Sequence, residues 1–305
     1  MRNAFADEIT NLAKKDKKIV LLSGDIGNRL FDKFRTRFPE RFYNCGIAEA
    51  CMTGVASGIA HLGLSPITYT IATFNTIRCL EQIKLDICYP NLPVVIVGTG
   101  AGLSYASLGA THHSLEDIAL LRAIPNLKIL CPSDPEEVRK LLKDALKMKG
   151  PVYLRLGKKN EPIIRPRKRI GKSDMIIKGK TNLLISVGNI LKFVIEASNE
   201  LKRKKINNAV IDLRYVKPLD SKVLKIAFRE FKKIFVVEEH YITGGVGSSI
   251  LEWARKNSFN SDNVFLLGAD NKFVNSSGNQ FSARDKVGLS IKNIVNKVSK
   301  VVKKT

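Results

Sequence analysis

Residues 44–63 read "NCGIAEACMTGVASGIAHLG" and stand between two aliphatic or β-branched runs, "KIVLLS" at 18–23 and "PITYT" at 66–70. A small-residue helix framed by two apolar strands is the strand–helix–strand unit of a parallel α/β sheet. The stretch also holds an oddity. Between Arg41 and Arg78, Glu49 is the only Asp, Glu, Lys or Arg, in a chain that is 26% charged. A helix beginning after Gly46 puts Glu49 in its first turn, where a carboxylate complements the helix dipole by about 0.3–1 kcal/mol. That accounts for an exposed side chain. Among Ile47, Ala48, Met52 and Val55, a carboxylate needs a hydrogen-bond donor or a raised pKa, because desolvating it unpartnered costs several kcal/mol. Either property suits proton transfer or the grip of a ligand nitrogen.

Working outward, the alternation continues. Strands are predicted at 92–98, 127–131 and 151–156, and helices near 3–14, 48–62, 74–88, 114–123 and 134–148. The segment "GKKNEPIIRPRKRIGKSD" (157–174) breaks the pattern with Pro162, Pro166 and a basic cluster, and reads as a linker. A second unit follows, with strands at 182–188, 207–213, 233–239 and 263–268 and helices near 190–204, 219–231, 246–257 and 283–299. The expected fold is α/β: two doubly wound domains over 1–160 and 179–305, joined by a linker over 161–178.

The chain has 305 residues, 44% of them hydrophobic, enough for real cores in two domains. No apolar run reaches the roughly 18–20 residues that span a bilayer, since Asn44, Glu49, Thr53, Ser57 and four glycines break the nearest one. The opening "MRNAFADEITNLAKKDKK" reads as an amphipathic helix rather than a signal sequence. Cys45, Cys51, Cys79, Cys88 and Cys131 have no metal-type spacing and sit in apolar sequence, which predicts reduced, buried thiols and a cytoplasmic protein. A net charge of +23 invites nucleic acid, but the lysines are spread along helix faces ("LAKKDKK", "ELKRKK", "NKVSKVVKK") without interleaved aromatics. A basic face meeting an acidic partner subunit fits better than a nucleic-acid site.

Four further stretches bear on chemistry. "SGDIGN" (23–28) follows the first strand, where open α/β sheets bind ligands, yet it is neither a Walker A loop nor a dinucleotide fingerprint, and on local grounds Asp25 fits a turn cap better than a ligand contact. "LGATHHSLED" (108–117) places His112 and His113 side by side before a helix. Adjacent side chains on extended backbone point opposite ways, so one imidazole faces a pocket while the other packs or caps. "YLRLGKK" (153–159) ends a strand with Arg155, Lys158 and Lys159, facing phosphate or solvent. "VVEEHYITGGVGSSI" (236–250) offers helix N-terminal N–H groups to an anion, or is only a tight connection.

Together these residues resemble the thiamine-diphosphate enzymes of the transketolase group, specifically their C-terminal half. The carrying stretches, in order, are "SGDIG", "RFPERFYNCGIAEACMTGVASGIA", "GATHHSLEDIALLRAIPNLKILCPSDPEE", "VIDLRYVKPLD" and "VVEEHYITGGVGSSI". The resemblance implies a pyrimidine-binding domain followed by a transketolase C-terminal domain. It casts Glu49 as the glutamate that hydrogen-bonds the cofactor's aminopyrimidine and promotes activation, with Ile47 against the cofactor, Asp25 near the same ring and Phe74 stacked on it. His112 becomes catalytic, and Arg78, His112, His113 and Lys158 become substrate contacts, Lys158 standing where the family often has a phosphate-binding arginine. Departures accompany the match: Leu108 replaces the acid of an Asp-Gly-Pro-Thr-His run, and Gly100 stands about where an upstream histidine is usual.

The family's diphosphate-and-magnesium motif is absent from the chain. The resemblance therefore implies a split enzyme in which a separate N-terminal-section subunit carries the diphosphate and Mg²⁺ ligands. Its implied form is a heterotetramer with a homodimeric core, moving a two-carbon ketol unit between sugars in a specialised pathway such as cell-surface carbohydrate synthesis. A deoxyxylulose-phosphate-synthase-like reaction, a 2-oxo-acid dehydrogenase β-type subunit and a non-catalytic scaffold are the alternatives.

Overall fold

The apolar runs become strands buried on both faces, as parallel sheets enclosed by helices require. The structure is a computed structural model and describes residues 1–26, 29–158, 161–164, 171–275 and 278–303. In chain order its strands are β1 (Ile19–Ser23), β2 (Phe42–Asn44), β3 (Ser65–Ile71), β4 (Val95–Thr99), β5 (Lys128–Leu130), β6 (Val152–Arg155), β7 (Ser173–Ile177), β8 (Asn182–Val187), β9 (Asn208–Leu213), β10 (Tyr215–Lys217), β11 (Lys233–Tyr241) and β12 (Val264–Ala269). They form a seven-stranded sheet, β10-β5-β6-β4-β3-β1-β2, and a five-stranded sheet, β12-β11-β8-β9-β7. All pairings are parallel except β10 with β5 and β7 with β9.

The first sheet packs one face on helices Arg2–Ala13 and Pro135–Lys147, through Phe5, Ile9, Leu21, Ile67, Val97 and Leu141. Its other face belongs to a core that runs on into the second sheet, joining Leu22, Met52, Ile96 and Tyr153 to Ile185, Leu213, Val236 and Ile250. Strand β10 crosses over as well, so the two sheets are built into one another rather than strung on a tether. Strand β7 lies inside the stretch read as linker.

Several local expectations give way to the fold. The region 74–88 is not one helix but a turn, a 3₁₀ turn (Ile77–Cys79), a short α segment and a π-helical run (Ile83–Cys88). The helix predicted over 283–299 is two, Gln280–Lys286 and Ile291–Lys303, separated at Gly288 with φ +73°. Cys79, Cys88 and Cys131 are buried, but Cys45 is only half-buried and Cys51 is exposed. The helix Glu49–His61 turns Met52, Ala56 and Ala60 to the core and Cys51 and Val55 outward, and an all-small sequence gives no sign of which face is covered.

Candidate active site

Strands β1, β3, β4 and β6 run parallel, and their carboxyl ends open on one region, the place where open α/β sheets bind ligands. After β1 the chain passes Gly24 and Asp25. Asp25 Oδ1 accepts from Asn44 Nδ2 at 3.2 Å, and Asn44 Oδ1 accepts the Gly46 N–H at 2.9 Å. Gly46, with φ +67°, takes a left-handed turn that suits glycine and leads into the helix headed by Glu49.

Glu49 is 3% exposed, so the burial read from its apolar window holds. Its partner is a side chain: Arg78 Nη1 donates to Glu49 Oε2 at 2.7 Å. The same guanidinium lies 4.2 Å over the Phe74 ring. Phe74 meets the His112 ring edge-on at 5.1 Å, His112 lies 5.7 Å from Tyr105, and Lys158 Nζ sits 4.0 Å over Tyr105. One continuous line, Glu49–Arg78–Phe74–His112–Tyr105–Lys158, thus runs along the carboxyl end of the sheet. Burial first, and then the positive charges of Lys158 and Arg78, hold the His112 imidazole below its ordinary value. It is therefore neutral at pH 7.

The other sequence candidates sit differently. Ile47 is 83% exposed and touches no core. His113 is buried and makes none of the ring contacts of that line, so of the pair only His112 joins it. Arg155 meets neither phosphate nor solvent. It is buried, giving Nε to Asp117 Oδ2 at 2.8 Å and Nη2 to the carbonyls of Ser114 and Glu239. Burial is the largest influence and would raise the Asp117 carboxyl, but Arg155, His240 and the Tyr153 hydroxyl together hold the group below the usual range. Lys159 lies outside the described residues. The N–H groups of Val246 and Gly247 are taken by the chain's own Glu238, both at 2.8 Å, which makes "GGVGSSI" a tight connection rather than an anion site.

Sequence reasoning missed Tyr105 and Thr70. The signal for Tyr105 was a lone aromatic among glycines: a Cβ on Gly100 would stand 2.0 Å from Tyr105 Cε2, so the ring lies directly against that glycine. Thr70 Oγ1 is buried without a hydrogen-bond partner, and a Cβ on Gly24 would lie 2.8 Å from it and 3.7 Å from Glu49 Oε1. Among the described residues, no group of three or more His, Cys, Asp or Glu side chains is placed to hold a metal ion, and no helix is long and apolar enough to cross a membrane.

Family models described as the transketolase pyrimidine binding domain and the transketolase C-terminal domain match residues 1–162 and 171–292. The chain belongs to the transketolase family. Among transketolase relatives, it is 35% identical over 261 residues to one of the subunits of apulose-4-phosphate transketolase from Phocaeicola vulgatus, covering 84% of each chain. It is 31% identical over 279 residues to a putative transketolase C-terminal section of Methanocaldococcus jannaschii, covering 90% of this chain and 87% of that one. With 1-deoxy-D-xylulose-5-phosphate synthase of Halothermothrix orenii it shares 35% identity over 280 residues, spanning 88% of this chain but 43% of that one. A solved split-gene transketolase, described as an inactive β4 tetramer, superposes with a TM-score of 0.89 at 32% identity, covering 98% of this chain and 97% of that one.

Proposed function

We propose that the chain is the pyrimidine-binding and C-terminal subunit of a split, thiamine-diphosphate-dependent transferase that moves a two-carbon ketol unit between sugars in the cytoplasm. The buried Glu49 carboxylate at the head of its helix, in line with Phe74 and His112, carries this reading. When bound, the cofactor supplies a nucleophilic carbon and an electron sink. The residues present fit it: Gly24 lets the chain pass close to Thr70, whose buried Oγ1 has no hydrogen-bond partner, near Glu49 Oε1, and Phe74 offers a ring face. Glu49 would hold a hydrogen bond to the pyrimidine ring, Phe74 would stack on it, and Asp25 and Ile47 would flank it. His112, neutral at pH 7, would accept or donate a proton on the substrate. Arg78 and Lys158 are assigned to the substrate side, two cations that suit a phosphorylated sugar, whereas the buried His113 would reach substrate only through a neighbour.

A separate diphosphate-binding subunit would bring the Mg²⁺ ligands and complete a heterotetramer around a homodimeric core. Cys51, Val55, Gly58 and Leu62 recur on one outward face of the helix that Glu49 begins, with Leu62 80% exposed. That face suits a protein neighbour beside the site. The inactive state described for the split-gene neighbour supports a chain that is inactive alone. Leu108 in place of an acid supports an unusual sugar donor, as in a specialised carbohydrate pathway. The second reading, a deoxyxylulose-phosphate-synthase-like reaction, is favoured by the His112–His113 pair and by the 35% identity to that synthase.

Co-purification with a diphosphate-binding partner, then titration with thiamine diphosphate and a screen of ketose phosphates, tests the proposal. The complex should bind cofactor and turn over a ketol donor that the single chain does not. Turnover by the single chain, or rates on xylulose 5-phosphate like those of an ordinary transketolase, would overturn the split or the specialised-donor part. Because the folded-state pKa of His112 lies below 6.5, activity should be flat through neutral pH and fall only below 6.5, as the imidazole gains its proton. An acid limb centred above 6.5 in the pH–rate profile excludes His112 as the titrating group.

Arg78 occupies both groups that a pyrimidine would use, Glu49 Oε2 and the face of Phe74. A ring stacking there displaces the guanidinium. Arg78→Met should then destabilise the cofactor-free complex by about 1–3 kcal/mol, as the buried carboxylate loses a charged hydrogen bond, toward the lower end because Arg78 is 44% exposed. Added cofactor should raise the melting temperature of the variant more than that of the wild type. An equal or smaller rise shows that Arg78 does not compete for the site.

A further inference from the structure

In the second sheet, β8 and β11 are neighbours, yet the helices that follow them lie on opposite faces. Helix Leu191–Arg203 packs with Leu184, Val210 and Phe235, and helix Val246–Lys256 packs with Ile185 and Val236. Such a switch point opens a crevice at the carboxyl ends of the strands, where α/β sheets hold their ligands. Here a loop of the first domain reaches the end of β11. Leu103 is buried with Ala106, Leu115, Ala269, Val274 and Ala283.

Near the carboxyl end of β11 stands Glu239, fully buried. Its Oε1 accepts the Leu103 N–H at 2.5 Å and Gln280 Nε2 at 2.8 Å, and its Oε2 accepts Arg284 Nε at 2.6 Å. Gly102, at φ +64°, is pressed against it, for a Cβ there would lie 2.7 Å from Glu239 Oε1 and 2.9 Å from the Glu239 carbonyl oxygen. Gly102 and Ser114 exchange both backbone hydrogen bonds at 3.0 Å. Arg155 Nη2 then ties the Ser114 carbonyl to that of Glu239, at 3.1 and 3.0 Å. The loop 102–114 is thus closed at its base, and both ends of that base are fixed to one residue of the second domain. Tyr105 and His112, two members of the candidate site, ride on the loop between those ends.

We infer that Glu239 is a positioning residue for the ketol-transfer reaction: it clamps loop 102–114 into the second domain's own crevice and so sets His112 and Tyr105 beside Phe74. This rests on the transketolase-type reading of the site. It gives the C-terminal domain a task in the reaction although none of its side chains stands in the Glu49–Lys158 line. Catalytic geometry is sensitive to displacements of about 1 Å, which cost up to about 100-fold in rate, so a slackened loop should register in substrate kinetics before it registers in cofactor binding.

The test is Glu239→Gln in the complex reconstituted with its diphosphate-binding partner. Glutamine keeps the shape, but its one NH₂ must face a donor in either orientation, Leu103 N–H and Gln280 Nε2 on one side or Arg284 Nε on the other, and the charge that holds Arg284 is gone. The kcat/KM for the ketol donor should fall about 10- to 100-fold, thiamine diphosphate affinity, read by fluorescence titration, should change less than about twofold, and amide exchange at Leu103 and Ser114 should accelerate while Leu21 and Ile67 stay protected. Gly102→Ala pushes the loop from the other side and should give the same split without removing a charge. Unchanged exchange at Leu103 overturns the clamp. Accelerated exchange with unchanged donor kinetics, or parallel losses in donor kinetics, cofactor affinity and melting temperature, reduces Glu239 to a structural part and overturns its role in the reaction. A wild-type complex that turns over no ketol donor overturns the transketolase reading and the catalytic half of this inference with it, while the exchange measurement still decides whether the clamp exists.

Discussion

Glu49→Gln should remove activity from the reconstituted complex by a factor of about 10² to 10⁴, the range expected for a positioned proton-transfer group, while leaving the fold intact. The side chain is 3% exposed and its neighbour Arg78 donates to Oε2 at 2.7 Å. Glutamine has nearly the same volume and its amide oxygen can still accept that bond, so no cavity and no orphaned donor results. What disappears is the negative charge, and with it the capacity to hold a hydrogen bond to a protonated ring nitrogen. Thermal melts should therefore move little, and a fluorescence titration should still find cofactor binding, while ketol transfer collapses. The contrast matters because a scaffold subunit that kept only the fold would behave otherwise: there the substitution would leave the rate of the complex untouched, and such a result would discard the catalytic assignment.

Much of this was legible in the sequence, for physical reasons that also mark the limit. Strands such as β1 and β4 are buried on both faces, so they appear as unbroken apolar runs that need no context. Glu49 stood out because burial of one carboxylate leaves a visible gap in the charge pattern. Strands β2 and β10 did not show, since each has three residues and owes its existence to an edge supplied by distant chain. Arg78 could be noted only as the next charge along; its contact with Glu49, 29 residues earlier, depends on how the irregular turns after Phe74 bring the chain back. Arg155 and Lys158 look alike in "YLRLGKK", yet one is sealed against Asp117 and the other reaches the Tyr105 ring. Local pattern predicts which elements form, while the pairing of charges is decided by the tertiary approach of segments far apart.

That distinction is sharpest at Arg214, whose replacement by methionine should be the most destabilising single change considered. Arg214 directly follows β9 and is fully buried. Its Nε donates to Glu137 Oε1 at 2.7 Å and its Nη2 lies 3.2 Å from Asp212 Oδ2. Glu137 comes from the helix Pro135–Lys147 of the first domain, where its Oε2 also accepts the Ser133 N–H at 2.7 Å. Asp212 comes from the second sheet. One guanidinium therefore meets two fully buried carboxylates, one from each domain. Methionine fills the volume but takes that cation from both acids, and breaking a buried pair in this way costs about 3–5 kcal/mol. Lysine should fall between, because a point charge cannot serve two acceptors with the fixed fork of arginine. Adding Glu137→Gln and Asp212→Asn to the methionine variant should recover part of the loss, since the buried negative charge is then gone. Denaturant unfolding of the full chain measures all three, and because the site joins the domains, the single variant should lower the midpoint of both together. A methionine variant within about 1 kcal/mol of wild type would mean that the carboxylates are satisfied without Arg214, and that the domains are held instead by their shared apolar core.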